Sequence, residues 1–204
     1  MKLKNLEMML QTLNGFPKPR ASLEQYQTPA PLAARLLFHA LMKQDIEGKA
    51  ACDLGCGTGV LAIGAALLGA DRVTGIEIDE QAVSVATANA ELLDADVEFL
   101  VADVSDPDLP GRIGPCDTVI MNPPFGAQKA HADRPFIDVA LALAPVTYSI
   151  FNAGSVSFVK AYTEGRAAID EKIGGAFPIK RTFAFHTKDV QEIEVEILRL
   201  TRNQ

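Results

Sequence analysis

The segment Asn122-Pro123-Pro124-Phe125 combines residue types that could present a flat, amino-bearing group for chemistry. Two consecutive prolines fix two φ angles and remove two N–H donors, which leaves nearby carbonyl oxygens without sheet partners. These carbonyls and the Asn122 side chain could accept both hydrogens of an exocyclic amino group, while Phe125 stacks on the base. Such acceptors direct the nitrogen toward a methyl donor and stabilise the charge that develops on it. We therefore interpret all four residues as catalytic, without a nucleophile or strong base.

A glycine-rich turn, Asp53-Leu54-Gly55-Cys56-Gly57-Thr58-Gly59, joins a predicted strand to a predicted helix. Glycines there let the backbone fold tightly and let a ligand approach the main chain. Glu77 follows roughly 20 residues later, at the end of the next strand, where an acid can bind a ribose diol. Asp103 ends the third strand at the same sheet edge and could accept from an adenine amino group, although an aspartate there is equally typical of a turn. The pattern predicts an adenosine-containing ligand.

Two cofactor classes fit this turn. The segment Gly57-Thr58-Gly59-Val60-Leu61-Ala62 satisfies a loose dinucleotide-binding motif, which allows a nicotinamide cofactor. Asp53 argues against a pyrophosphate, because a carboxylate repels it but attracts the ammonium and sulfonium of S-adenosylmethionine. We therefore favour S-adenosylmethionine and keep a nicotinamide-dependent oxidoreductase as an alternative from another class. Asp79, two residues after Glu77, is better explained as the N-cap of the following helix.

Alternating strand and helix patterns predict the elements that position these residues. Helices separating the strands are typical of βαβ units, and two final strands without an intervening helix predict an antiparallel edge. The predicted fold class is α/β, a doubly wound, mostly parallel, seven-stranded Rossmann-like sheet with an antiparallel edge strand. Thr28 and Pro29 predict the N-cap and first residue of a helix that continues over 32–42. The predicted strands are 49–54, 72–78, 97–101, 118–121, 147–151, 182–185 and 193–200; the predicted helices are 3–13, 58–69, 80–93, 136–143 and 155–169, with a polar loop from 102 to 115.

Composition excludes several classes of protein. The 204 residues suit one domain with a substantial core, and the longest nearly uncharged apolar stretch, Gly59 to Ala70, is shorter than the roughly 20 residues of a membrane span. The N-terminus lacks a signal-peptide core. Cys52, Cys56 and Cys116 offer no paired spacing for a zinc site, so we expect buried, reduced thiols, no metal and a cytoplasmic protein.

The net charge of −7 at first argues against a nucleic-acid partner. Its distribution changes that interpretation, because residues 21–125 carry −11, whereas residues 1–20 carry +3 and residues 126–204 carry +1. The acidic block contains the predicted cofactor site, where carboxylates suit a sulfonium and an ammonium. The flanking segments remain available to a phosphate backbone, for which we expect modest, salt-sensitive affinity.

Five segments, taken in order and spacing, resemble the methyltransferase-like protein 5 family of class I S-adenosylmethionine-dependent methyltransferases. They are Leu23-Glu24-Gln25-Tyr26-Gln27-Thr28, Asp53-Leu54-Gly55-Cys56-Gly57, Asn122-Pro123-Pro124-Phe125-Gly126, Phe185-His186 and Glu192-Ile193-Glu194-Val195. The resemblance covers essentially the whole chain, which looks like an archaeal or otherwise minimal member. It implies formation of N6-methyladenosine at one site in small-subunit ribosomal RNA.

The resemblance also implies roles for individual residues. Residues 1–29 would form an N-terminal helix and a segment covering the cofactor, and residues 30–204 the class I methyltransferase domain. In this scheme the N-terminal segment closes over the cofactor, the glycine turn lines its methionine side, Glu77 binds its ribose, and the end of the third strand binds its adenine. The implied cofactor-binding residues are Gln25, Thr28, Asp53, Gly55, Cys56, Gly57, Thr58, Gly59, Val60, Glu77, Asp103 and Val104.

Substrate recognition is expected to use the N-terminal segment, the loop 126–134 and the C-terminal part of the chain. In the loop, Lys129, His131 and Arg134 are the candidate RNA contacts, and in the C-terminal part the basic residues are Lys160, Lys172, Lys180 and Arg181. The target adenine would be single-stranded or flipped, because a stacked amino group is inaccessible to a pocket. Family members in eukaryotes depend on a small zinc-binding activator subunit, which implies a possible partner. Two alternatives remain: a methyltransferase acting on a protein glutamine amide, whose motif usually has Tyr at the position of Phe125, and a non-catalytic ribosome-assembly factor.

Overall fold

The computed structural model describes residues 1–126, 131–180 and 190–203. Within these ranges, seven α-helices and seven strands alternate along most of the chain. The helices are α1 (Leu3–Leu10), α2 (Ala30–Met42), α3 (Val60–Leu67), α4 (Glu80–Leu92), α5 (Leu109–Ile113), α6 (Arg134–Leu143) and α7 (Val156–Tyr162). The strands are β1 (Ala50–Leu54), β2 (Arg72–Glu77), β3 (Glu98–Val101), β4 (Thr118–Met121), β5 (Val146–Asn152), β6 (Ala167–Lys180) and β7 (Val190–Arg202).

The strands of the described ranges form one sheet in the order β3-β2-β1-β4-β5-β7-β6. Strands β1 to β5 are parallel, and β7 runs antiparallel between β5 and β6. The predicted α/β, mostly parallel, seven-stranded sheet is therefore confirmed, with its antiparallel strand second from one edge. Strand order reverses between β1 and β4, and such a switch point opens a crevice at the carboxyl ends of the strands.

Two hydrophobic clusters cover the two faces of the sheet, as expected of a doubly wound fold. Helices α1 to α4 contribute to the first cluster and α5 to α7 to the second. Alternate residues of β4 divide between them, since Ile120 joins the first cluster and Val119 and Met121 join the second. This alternation follows from the two-residue period of a strand, and all four residues of β4 are buried because both faces of the sheet are covered.

Three predicted local features differ from the structure. The predicted helix 155–169 ends at Tyr162, and the chain from Ala167 instead forms the edge strand β6, because pairing along the whole of β7 outweighs a weak local preference. Gly165, at φ +76°, makes the turn between them. The predicted loop 102–115 contains α5, which buries its apolar ends Leu109 and Ile113. Helix α2 begins one residue later than predicted, with Pro29 rather than Thr28 as its N-cap.

Three further expectations concern the cysteines, the predicted strand 182–185 and membrane-spanning helices. Cys52, Cys56 and Cys116 are buried and form no disulfide, which confirms the interpretation of core thiols. The predicted strand 182–185, and the Phe185-His186 pair with it, lie outside the described residues. In the parts of the chain that the structure describes, every helix is too short or too polar to cross a membrane.

Gly64 tests the packing that holds α3 against the N-terminal helices. A Cβ at Gly64 would lie 2.3 Å from Leu37 Cδ1, on a fully buried residue of α2. We expect Gly64→Ala to lower the free energy of unfolding by about 1–3 kcal/mol through overpacking. Gly111→Ala in α5 is the matched control, because its Cβ would meet no atom within 4 Å. Urea denaturation of both variants checks this; an unchanged Gly64→Ala protein would contradict the described helix contact.

Candidate functional site

A cavity of about 330 Å³ lies at the switch point, where β1, β2, β3 and β4 end. Its volume falls within the range of small-molecule sites, about 300–1,000 Å³. All the residues expected to bind the cofactor line it except Gly59, and so do His131 and the segment Asn122–Phe125. One cavity thus contains both the predicted adenosine-binding residues and the predicted catalytic segment.

The glycine turn forms one wall and requires its glycines for two separate reasons. Gly55, Gly57 and Gly59 have φ angles of +70°, +54° and +87°, a region that other residues rarely adopt. A Cβ would also lie 2.8 Å from the ring of Phe136 at Gly55 and 2.8 Å from the ring of Phe16 at Gly57. Gly59 is the N-cap of α3 and therefore shapes the turn from outside the cavity lining.

Glu77 is fastened to this turn from the end of β2. Its two carboxylate oxygens accept from the backbone N–H groups of Gly57, at 3.0 Å, and Asp79, at 2.9 Å. Burial raises the pKa of Glu77, and these two hydrogen bonds partly oppose that effect. Each carboxylate oxygen has a second lone-pair site, so Glu77 can still accept hydrogen bonds from the hydroxyls of a bound ligand.

Asp53 places a carboxyl group at the bottom of the cavity. Its Oδ2 accepts from Ala62 N–H at 2.9 Å, whereas Oδ1 is buried without a hydrogen-bond partner in the described part of the chain. Burial raises the pKa of Asp53 to about 8, and the nearby charge of Glu77 adds to the increase. A cationic ligand would stabilise the ionised carboxylate and satisfy Oδ1. The unpaired carboxyl oxygen of Asp53 can therefore accept a hydrogen bond from an ammonium group, as expected for S-adenosylmethionine.

Residues 20–28, which we call the N-terminal strap, border the cavity, and residues 22–28 line it. Asp79 fastens the strap, because one of its oxygens accepts from Arg20 Nη2 at 2.6 Å and the other from Gln25 Nε2 at 2.8 Å. Gln25 Oε1 in turn accepts from the backbone N–H of Arg20 at 2.7 Å. Asp79 also caps α4 by accepting from Gln81 N–H, which confirms its predicted N-cap role.

The strap also contacts the Asn-Pro-Pro-Phe segment at two points. Asn122 Nδ2 donates to Thr28 Oγ1 at 3.0 Å, and Phe125 N–H donates to Glu24 Oε2 at 2.8 Å. The other amide atom, Asn122 Oδ1, is buried without a partner in the described part of the chain. Because Thr28 fixes the Nδ2 side of the amide, Oδ1 is held as an acceptor at the cavity. The contacts of Arg20 and Glu24 are not evident from the sequence, because their partners lie 59 and 101 residues away.

Of the other predicted residues that the structure describes, Asp103 and His131 line the cavity and Arg134 does not. Asp103 accepts from both the backbone N–H and the hydroxyl of Ser105, so it forms the predicted turn while also lining the cavity. His131 lines the cavity with a φ of +63°. The guanidinium of Arg134 lies away from it, over the rings of Phe158 and Tyr162. Lys129 and Arg181 lie outside the described residues.

Asp53 should make the stability of the ligand-free protein depend on pH. Its pKa is about 8 in the folded chain and about 3.9 when unfolded, so the folded state binds the extra proton between these values. The contribution of Asp53 to the free energy of unfolding therefore decreases as pH rises from about 4 to 8. We expect Asp53→Asn to remove this part of the slope in thermal unfolding between pH 5 and 8. The exposed Asp94→Asn is the control; a slope unchanged by Asp53→Asn would contradict the assignment.

Comparisons with known proteins agree with this geometry. Residues 31–145 match the family model described as methyltransferase small domain. The chain is 44% identical to protein MJ0284 of Methanocaldococcus jannaschii, over 98% of this chain and 94% of that protein. It is 37% identical to the rRNA N(6)-adenosine-methyltransferase Mettl5 of Drosophila melanogaster, over 98% of this chain and 96% of that protein. The crystal structure of PH1948 from Pyrococcus horikoshii is similar with a TM-score of 0.91 and 38% identity, covering 100% of this chain and 99% of that one. The chain therefore belongs to the methyltransferase small domain family and, within it, to the methyltransferase-like protein 5 family.

Proposed function

We propose that this protein transfers a methyl group from S-adenosylmethionine to the N6 amino group of an adenine in small-subunit ribosomal RNA. The observation that carries the proposal is the buried Oδ1 of Asn122, an acceptor without a protein partner in the described chain, in the same cavity as Asp53 and Glu77. One cavity therefore has acceptors for an aromatic amine and carboxylates for a cationic donor.

The cofactor supplies an electrophilic methyl group, and the chain supplies its binding site. Asp53 binds the ammonium of the methionine part, Glu77 binds the ribose hydroxyls, and Asp103 with Val104 binds the adenine. The strap residues Gln25 and Thr28 cover this site. A nicotinamide dinucleotide fits less well, because its pyrophosphate would lie near two buried carboxyl groups.

The target nitrogen is positioned by acceptors rather than activated by a base. Asn122 Oδ1 and the carbonyl oxygens of the Pro123-Pro124 pair accept the two amino hydrogens, and the Phe125 ring stacks on the base. Positive charge would develop on the nitrogen as its bond to the methyl carbon forms and the bond between that carbon and the donor sulfur breaks, and these fixed dipoles would stabilise it without reorganising. The methylated nitrogen would then lose one of its two hydrogens to water as a proton. The strap supports this arrangement by holding the Asn122 amide and the Phe125 N–H.

The Drosophila relative supports RNA adenine over a glutamine amide as the substrate, since its name specifies rRNA N6-adenosine methylation. Phe125 agrees, because an aromatic ring at this position can stack on a base. The direct test is incubation of the protein with labelled S-adenosylmethionine and purified ribosomal RNA, followed by nucleoside mass spectrometry. We expect N6-methyladenosine in small-subunit RNA only. Its absence from all ribosomal RNA, with cofactor binding intact, would overturn the proposal.

Asn122→Ala removes the proposed amine acceptor while leaving Asp53 and Glu77 of the cofactor site in place. We expect kcat for methyl transfer to fall by about 10²- to 10³-fold, the usual cost of removing one fixed transition-state dipole. The Kd for S-adenosylmethionine, measured by calorimetry, should change much less than kcat, because Asn122 reaches the cofactor site only through its hydrogen bond to Thr28. The exposed Asn5→Ala on α1 is the matched control and should retain full activity. Wild-type kcat in Asn122→Ala would exclude Asn122 as the amine acceptor.

Cofactor affinity should increase with pH below 8. Asp53 is largely protonated in the ligand-free protein at pH 6 and must ionise to pair with an ammonium, so binding releases a proton. We expect the Kd for S-adenosylmethionine to fall by up to about tenfold per pH unit up to pH 8. Calorimetry in buffers of different ionisation enthalpy measures the proton release. Asp53→Asn should bind weakly and without this dependence, and NAD should not bind; tight NAD binding would favour the oxidoreductase alternative.

A further inference from the structure

A row of aromatic rings and guanidinium groups starts at the cavity mouth and follows α7. His131 and Phe158 have ring centroids 6.4 Å apart, and Phe158 stacks on Tyr162 at 5.5 Å with an interplanar angle of 24°. Arg134 lies 5.5 Å and 5.3 Å from the centroids of Phe158 and Tyr162, and Arg166 lies 4.8 Å over Tyr162. We call these five residues the aromatic column. The site described above includes only its first member.

The column is continuous with the cavity through His131, which lines the cavity mouth. His131 is exposed and adopts φ +63°, a conformation that is uncommon for a residue other than glycine. The next two rings are four residues apart on α7, and this spacing places them on one face of the helix. A chain leaving the cavity past His131 would therefore meet Phe158 first and Tyr162 second.

The column combines apolar rings with cations that are not fully neutralised. Phe158 and Tyr162 pack against the second hydrophobic cluster but remain partly exposed. Arg166 pairs with Asp138, which also accepts from the Tyr162 hydroxyl. No ion pair of the described residues includes Arg134, and its Nε has no hydrogen-bond partner there. Arg134 thus brings an uncompensated positive charge to the rings.

We propose that the aromatic column binds the unpaired nucleotides that adjoin the target adenine. The proposal deepens the proposed function and rests on it. Rings and guanidinium planes stack on unpaired bases, and arginine cations bind the phosphates between them. A protein partner is less well matched, because the column leads directly from the cavity that would hold the adenine. The nucleotides beside a base inserted there must leave past the residues that line the cavity, and His131 connects this lining to the column.

The test measures binding of a single-stranded RNA of about 12 nucleotides with one central adenine, by fluorescence anisotropy in the presence of S-adenosylhomocysteine. We expect Tyr162→Leu to raise the Kd by about fivefold to 100-fold, because leucine keeps the packing but cannot stack. Tyr162→Phe keeps the ring and should bind like the wild type, although it loses the hydrogen bond to Asp138. Thermal unfolding of both variants checks that the fold is intact.

Arg134→Gln tests the column independently, from α6. For RNA binding by this variant, the slope of log Kd against log salt concentration should be smaller than that of the wild type by about 0.7, the value for one phosphate contact on a single strand. Arg112→Gln is the matched control, because Arg112 is a surface residue of α5 paired with Asp106 and should leave the slope unchanged. A protein-packing role for Arg134 would not alter the salt slope.

The results of these experiments distinguish failure of the proposed RNA binding by the column from failure of the proposed methylation. Wild-type RNA affinity and salt slope in both Tyr162→Leu and Arg134→Gln would overturn the column and leave methylation by the wild type as evidence for the function. Failure of the wild type to methylate any ribosomal RNA, with RNA binding still weakened by both variants, would overturn the function and support the column as an RNA-binding surface. Loss of affinity in Arg112→Gln equal to that in Arg134→Gln would indicate non-specific electrostatics and contradict the column.

Discussion

The reversal of strand order between β1 and β4 is the constraint on which the site depends. The two strands are paired with Leu54 opposite Met121, so the residues that follow each strand emerge side by side. Connections leave them in opposite directions and open a crevice at their carboxyl ends. The glycine turn after β1 and the Asn-Pro-Pro-Phe segment after β4 therefore border the same cavity, although about 65 residues of chain separate them.

Polar groups in this crevice are buried but incompletely paired within the described chain. Asp53 Oδ1 and Asn122 Oδ1 lack partners, and each such buried group costs about 1–3 kcal/mol. A ligand that donates to both atoms would offset this cost and stabilise the folded chain. The strap adds directionality, because Thr28 and Glu24 hold the Asn122 amide and the Phe125 N–H in place. The unpaired oxygens would thus bind the ligand, and the strap's hydrogen bonds orient the Asn-Pro-Pro-Phe segment toward it.

The sequence predicts the parallel sheet, because apolar runs of strand length alternate with helical patterns from residue 49 to 151. It also predicts which residues border the cavity, since strand ends in such a sheet share one edge. It predicts β6 wrongly, because residues 167–180 contain a charged run, two glycines and a proline, and they form a strand by pairing with β7. Arg20 and Glu24 escape prediction for a similar reason, since their partners Asp79 and Phe125 are distant in sequence. The roles assigned to the individual site residues stay predictions until a ligand is bound.

A crystal structure of the protein with S-adenosylhomocysteine and a short adenine-containing RNA would show whether Asn122 accepts a hydrogen bond from the target amino group. The quantity to measure is the distance from the adenine N6 nitrogen to Asn122 Oδ1. We expect a hydrogen bond of about 2.7–3.2 Å between these two atoms, and a hydrogen bond from the amino group of S-adenosylhomocysteine to Asp53 Oδ1. An adenine bound outside the cavity, or one whose N6 nitrogen points away from Asn122, would contradict this expectation.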